Sequence, residues 1–418
     1  MIAQGRLLLD PARAPEPGWV RVDQSRIAEV RLGEPPPSER PPALGGPDAL
    51  IITAFVDAHC HFPQTDSVGI DGLELLPWLE KAVFPAESWW GRGGARASAL
   101  TAARRHLRQG TVGVAAYLTS HAEGSREALV GVASQTPLRF IAGRVGMDRH
   151  APEDLLAEDR SRARLTPPAP CVLAPLANGE DPRRVVSANP RFAVSCSEEL
   201  LAEFGWWVRE HPGTWVQTHL SESRAECDLV RRLFPGAPHY TGVYDRAGLL
   251  TERTLLAHAI HLSDEELALI AQRRSIIVHC PAANTFLQAG LFDLDRARAA
   301  GVRVALGSDI AAGADAAMPR VARAMIEVAK VRSMTRRPTD PPVHVPTPAE
   351  AWDMITRVNA DLLGWNDTAR LEAGASADFL VLSVPPTWLD EHAAGRLIYN
   401  WDADLVRSYV YAGQVWKP

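Results

Sequence analysis

The sequence predicts an α/β fold, a (β/α)8 TIM-like barrel with a small β-sandwich domain formed by both termini. Three observations carry this expectation. Eight short β-rich runs recur along the middle of the chain, several of them separated by segments of helical period, which is the alternation of a parallel barrel. Both ends read instead as brief strand-and-turn units. The 418 residues are enough for a large barrel plus an accessory domain.

Taken in order, the candidate barrel strands are Ile51–Asp57, Thr111–Tyr117, Leu138–Arg144, Arg184–Asn189, Thr214–His219, Thr254–His258, Ser275–His279 and Val302–Gly307. Ala-, Leu- and Arg-rich stretches such as Ala95–Arg108, Ser197–Glu210, Asp264–Arg273 and Met318–Ser333 have the helical period between them. No obvious helix precedes the fourth strand. Near the N-terminus, Gly5–Leu8, Trp19–Val22 and Ile27–Val30 read as strands. Phe379–Leu382 and Val406–Tyr411 do so near the C-terminus, with a turn at Tyr411-Ala412-Gly413-Gln414. The expected division is 1–50 and 365–418 for the sandwich and 51–364 for the barrel. Two Pro-rich stretches stand out, Pro35 to Pro42 as a boundary loop and Pro167 to Pro175 as an irregular excursion within the barrel.

Composition narrows the function. The chain is 46% apolar and 22% charged, with a net charge of −6, which gives no reason to expect a nucleic-acid or anionic-membrane partner. The five cysteines are scattered and form no Cys-x-x-Cys pair, so neither a disulfide framework nor a thiolate zinc knuckle is indicated. Met1 to Asp10 lacks a signal-peptide pattern, and no run approaches the roughly 20 apolar residues of a membrane helix. A cytoplasmic location is expected. Lysine occurs only at 81, 330 and 417, none near a strand end.

The sharpest motif is Phe55-Val56-Asp57-Ala58-His59-Cys60-His61, an apolar run ending in two histidines two apart. In a strand, residues i and i+2 share a face, so His59 and His61 would point together into the barrel mouth. Barrel enzymes place their chemistry at these C-terminal strand ends. The fifth, sixth and eighth runs end in His219 (with Glu222 three residues on), His258 and Asp309. A histidine or acid at one strand end is unremarkable, but four such ends in one barrel point to a metal centre. Imidazole and carboxylate donors suit Zn²⁺, with Fe²⁺ as the alternative.

This order of His-x-His, His, His and Asp over eight strands resembles the amidohydrolase superfamily. Within it the chain is similar to the barrel-type guanine deaminases over nearly its whole length. The narrower marks are His61-Phe62-Pro63-Gln64-Thr65-Asp66, Leu79-Glu80-Lys81-Ala82-Val83-Phe84-Pro85-Ala86-Glu87, Asn189-Pro190-Arg191-Phe192, Thr218-His219-Leu220-Ser221-Glu222, His279-Cys280-Pro281 and Gly307-Ser308-Asp309-Ile310. The resemblance implies one Zn²⁺ per chain held by His59, His61, His219 and Asp309. It implies Glu222 as proton shuttle, with His258 and Asp309 orienting the attacking water. Gln64, Arg191, Phe192 and His258 would contact the purine, and the protein would be a homodimer. Arginine supplies a charged fork for the adjacent O6 and N7 acceptors of guanine, and the glutamine amide can both donate and accept.

Other residues read more plainly. His121, His150, His211, His239 and His344 are expected at the surface, and His261 as a helix-packing residue. His279 is balanced between pocket and core. Trp89-Trp90 and Trp206-Trp207 read as core or interface aromatics, and Glu87 as an anchor of its loop. Ala283 before Asn284, Ala314 after Asp309, and the Pro-rich segment Arg162 to Pro182 depart from the family pattern and bear on pocket shape. A related aminated heterocycle (8-oxoguanine, a pterin or a triazine) is therefore the alternative substrate. A two-metal hydrolase bridged by a carbamylated lysine lacks its lysine. A non-catalytic scaffold would be expected to have lost ligands. The other deaminase fold needs a Pro-Cys-x-x-Cys pair, which is absent.

Overall fold

The computed structural model describes residues 1–37, 41–162 and 183–417. The mid-chain Pro-rich excursion lies outside the described residues. Eight parallel strands form the barrel sheet in sequence order: Phe55–His61, Thr111–Tyr117, Arg139–Gly143, Arg184–Pro190, Trp215–Leu220, Thr254–His258, Ile276–His279 and Arg303–Leu306. They are referred to below as barrel strands one to eight. Their faces are covered on both sides: every residue of the first, second, third, fifth, sixth and seventh is buried, as expected of Val-, Ile- and Ala-rich parallel strands. The ends of strands eight and one meet through the Asp309 N–H donating to His59 O at 2.8 Å and the His61 N–H donating to Ile310 O at 3.0 Å. Gly307 permits this approach, since a Cβ there would lie 2.6 Å from that of His59.

The loops that leave the strands turn into helices through side-chain caps. Ser197 caps Glu198–Glu210, while Ser223 with Glu226 and Ser263 with Glu266 form capping boxes on Arg224–Leu233 and Asp264–Gln272. Each cap satisfies backbone donors that would otherwise be orphaned at a buried helix start.

The two ends of the chain combine in one seven-stranded sheet. Its order is Gln414–Trp416, Val406–Tyr411, Phe379–Leu382, Leu44–Thr53, Ile2–Leu7, Glu16–Asp23 and Arg26–Leu32. Its core is a cluster of small and branched side chains, among them Ala3, Leu7, Val20, Ile27, Ile51, Phe379 and Val410. The strand expected over Ile51–Asp57 is divided: Leu44–Thr53 belongs to this terminal sheet and the first barrel strand starts at Phe55. The run Leu50–Val56 is apolar but for Thr53 and carries no periodicity that could reveal the break. At the junction the Ala54 N–H donates to Asp378 O, leaving both ladders.

The chain divides into two compact units. One comprises Met1–Asp57, Arg104–Gly113 and Ala316–Pro418; the other comprises Ala58–Ala103 and Val114–Asp315, and it contains every candidate site residue. Among the described residues, no helix is long and apolar enough to cross a membrane.

Candidate active site

His59 and His61 come from the end of strand one, His219 from strand five, and Asp309 from the turn after strand eight. One ligand atom from each lies within 4.8 Å of all the others, and all four side chains are buried. His61 Nε2 is 3.3 Å from His59 Nε2 and 3.1 Å from His219 Nε2. Asp309 Oδ1 is 3.3 Å from His59 Nε2 and 3.4 Å from His61 Nε2. Burial, then the neighbouring imidazoles, holds His61 and His219 well below the ordinary histidine pKa, so both rings are neutral near pH 7. His219 Nδ1 sits 2.8 Å from Arg191 O. Its N–H therefore donates to that carbonyl, which leaves the Nε2 lone pair facing the other two rings. Neutral imidazole nitrogens and a carboxylate, crowded together out of water, are the donor set of a single Zn²⁺- or Fe²⁺-class ion. The Tyr117 ring stacks on His61 at 4.7 Å and backs the cluster.

Glu222 follows strand five on a sharp turn in which Ser221 adopts φ +48°. Its backbone N–H donates to Glu226 Oε2 at 2.8 Å, so the capping box that starts the next helix also fixes this residue. The Glu222 carboxyl is buried, with Oε2 3.5 Å from His258 Nε2 and no hydrogen-bond partner for Oε1. Burial first, then the nearby Asp309 and Glu226, pushes its pKa well above the carboxylate range. A carboxyl in that environment can hold a proton.

His258, at φ +70°, is aimed by Asn284, whose Oδ1 lies 2.9 Å from its Nδ1. The Nδ1–H donates to the amide oxygen, which leaves Nε2 as an acceptor, 3.7 Å from Asp309 Oδ2. Burial lowers the pKa of this ring to about 4.

The remaining residues line a cavity of about 360 Å³ of atom-free space. Gln64, Arg191 and Phe192 share it with His61, His219, Glu222, His258 and Asp309, so the residues anticipated from sequence converge, apart from His59, which is not among the lining residues. Leu75, Trp78, Leu79 and Leu287 supply an apolar wall that the sequence did not disclose.

Glu87 is more than an anchor of its loop. Its wholly buried carboxylate accepts from Arg191 Nη1 at 2.7 Å on both oxygens and from Gln64 Nε2 at 3.1 Å. The same Gln64 nitrogen is 3.0 Å from His61 Nδ1. The Phe-Pro-x-Glu motif was the available signal for Glu87; nothing marked its pairing with Arg191.

The histidines read as bland lie elsewhere. His239 caps Tyr240–Arg246, His261 reaches Ala289 O at 2.8 Å, and His279 packs on Phe292 at 4.8 Å outside the cavity lining. None of Trp89, Trp90, Trp206 and Trp207 lines the cavity. Ala314 is exposed, and Ala312 lines the cavity instead.

Comparison with known proteins gives three concordant findings. The amidohydrolase family profile matches residues 50–413. Guanine deaminase of Dictyostelium discoideum is 36% identical over 289 residues, a match covering 66% of this chain and 61% of that protein's length. Guanine deaminase of Escherichia coli is 33% identical over 344 residues, or 82% of this chain and 75% of its own. Among solved structures, E. coli guanine deaminase superposes with a TM-score of 0.87 at 26% identity, covering 100% of this chain and 99% of that one. The C. acetobutylicum enzyme with guanine bound in its active site gives 0.86 at 26% identity, covering 99% of each chain.

Proposed function

The chain belongs to the amidohydrolase family, and from that premise we propose that it deaminates guanine hydrolytically, yielding xanthine and ammonia. The observation that carries this is one cavity whose lining joins His61, His219, Asp309, Glu222 and His258 to Arg191, Gln64 and Phe192. Curated relatives and full-length structural neighbours with this activity support the same substrate.

In this reading His59, His61, His219 and Asp309 hold one zinc ion. When bound, the ion supplies Lewis acidity that brings the pKa of water down to roughly 7. Arg191 donates to purine acceptors, Gln64, whose Nε2 is engaged by Glu87 and His61, offers its amide oxygen to a purine N–H, Phe192 lies beside the ring, and the apolar wall excludes solvent, fixing C2 of guanine toward Glu222. Glu222 takes a proton from the attacking water and passes it to a ring nitrogen of the purine, which makes C2 electrophilic. The neutral His258 accepts a hydrogen bond from the same water, and Asp309 Oδ2 steadies its other side. Once the water oxygen has bonded to C2, Glu222 takes the remaining proton of that hydroxyl and delivers it to the amino group, so that the C–N bond breaks and ammonia leaves as the C2 carbonyl forms. Such general acid–base work contributes typically 10²–10⁴-fold in rate.

The barrel, opening at Phe55, is the catalytic domain in this reading, with the terminal sheet as its companion. A cytoplasmic homodimer is part of the same proposal. Ultraviolet monitoring of guanine conversion to xanthine by the purified protein, with and without a chelator, tests the activity. Metal-loaded protein that leaves guanine untouched while turning over a pterin or triazine would replace the substrate named here.

A further inference from the structure

The Arg191–Glu87 pair raises a question that the reaction alone does not answer. A guanidinium that reads a neutral purine needs no counter-charge in order to donate hydrogen bonds. Yet the chain buries a carboxylate behind it, with side-chain exposures of 3% for Arg191 and 0% for Glu87. Both Glu87 oxygens are engaged by Arg191 Nη1, one of them also by Gln64, and the Glu87 carbonyl is held by Thr119 Oγ1 at 3.0 Å. The Phe84 ring lies 5.6 Å from the guanidinium carbon and restrains Arg191 further. A charge this deeply desolvated is tolerable only when paired. The pair thus makes the purine-reading end of the cavity rigid and electrically neutral.

That neutrality bears on product release. Deamination replaces the amino group of guanine with a carbonyl and turns the adjoining ring nitrogens into imide N–H groups. Xanthine is therefore a stronger acid than guanine and gains negative charge as pH rises. An uncompensated arginine would hold that anion more tightly than the substrate.

We propose that Glu87 is a specificity-determining positioning residue, which neutralises Arg191 so that the cavity favours the neutral substrate over the anionic product. The proposal rests on the guanine-to-xanthine reading, whose failure would show separately as absence of guanine turnover by the wild type.

The test is binding of xanthine to the zinc-loaded enzyme from pH 6 to 9, by inhibition of guanine turnover and by calorimetry. Glu87→Gln leaves the cavity with one extra positive charge, and Arg191→Gln with one extra negative charge. Relative to wild type, xanthine should bind Glu87→Gln more tightly as pH rises, on the order of tenfold across the range, while the guanine KM increases. Arg191→Gln should show the opposite trend with pH. Glu87→Asp keeps the charge while displacing it, and should weaken guanine binding without altering the wild-type pH trend. A purely structural role would move the guanine KM and the xanthine constant in parallel at every pH. If Arg191→Gln and any folded Glu87→Gln protein both keep the wild-type trend, the proposal is overturned; should Glu87→Gln not fold, the Arg191→Gln trend decides alone.

Discussion

Replacing Glu222 with glutamine separates metal binding from proton transfer. Glu222 is outside the four-residue cluster whose ligand atoms lie within 4.8 Å of one another, so the variant should retain the full complement of metal. The amide keeps the shape but cannot accept and return a proton, and kcat should fall on the order of 10²–10⁴-fold. The same substitution should stabilise the metal-free protein. A buried carboxyl with raised pKa and an unpartnered Oε1 opposes folding once ionised; relieving it is worth about 1–3 kcal/mol. The sign follows from linkage. Below the unfolded-state pKa, folded and unfolded states both hold the proton and the variant gains nothing. As pH rises toward and through the raised folded value, the wild type loses stability and the variant does not. Metal analysis, steady-state kinetics and melts of chelated protein at pH 4 and pH 8 measure all three effects. A Glu222→Gln enzyme running near the wild-type rate with metal in place would refute the shuttle. Equal melting of the two chelated proteins at pH 8 would refute the electrostatic argument.

Two further outcomes are expected. Chelation should abolish turnover, and the metal-free protein should lose stability as pH falls below about 6.5, because His61 and His219 are held neutral in the fold but protonate when unfolded; pH-dependent melts with and without added zinc check this. Asn284→Ala should reduce kcat about 10–100-fold with metal content unchanged, by freeing the Nδ1 proton of His258; insertion of a hydrophobic isostere, Asn284→Leu, should not restore the rate.

The barrel and the metal-capable cluster were legible because both are written in short-range pattern. Strand period places His59 and His61 on one face, and a β-rich run leading into His219, His258 or Asp309 marks a strand end without any knowledge of contacts. What escaped is long-range or aperiodic. Glu87 meets Arg191 across 104 residues, and no local rule pairs them. Leu75, Trp78, Leu79 and Leu287 look like any core residues until the chain brings them to one cavity. Asn284 stood beside a motif but gave no hint of orienting a histidine 26 residues earlier. The boundary between the terminal sheet and the first barrel strand vanished inside a run that is apolar but for Thr53, where burial on both faces erases the alternation that would locate it.

Ser221, His258 and Asp309 all adopt left-handed backbone at the rim of the barrel. Branched residues such as valine or isoleucine would be resisted there by the main chain itself, before any question of ligand chemistry arises. Drift at these three places is thus filtered twice, by shape and by reactivity. A descendant that abandoned the reaction altogether would still find glycine, asparagine or aspartate the easiest residues to accept at those corners.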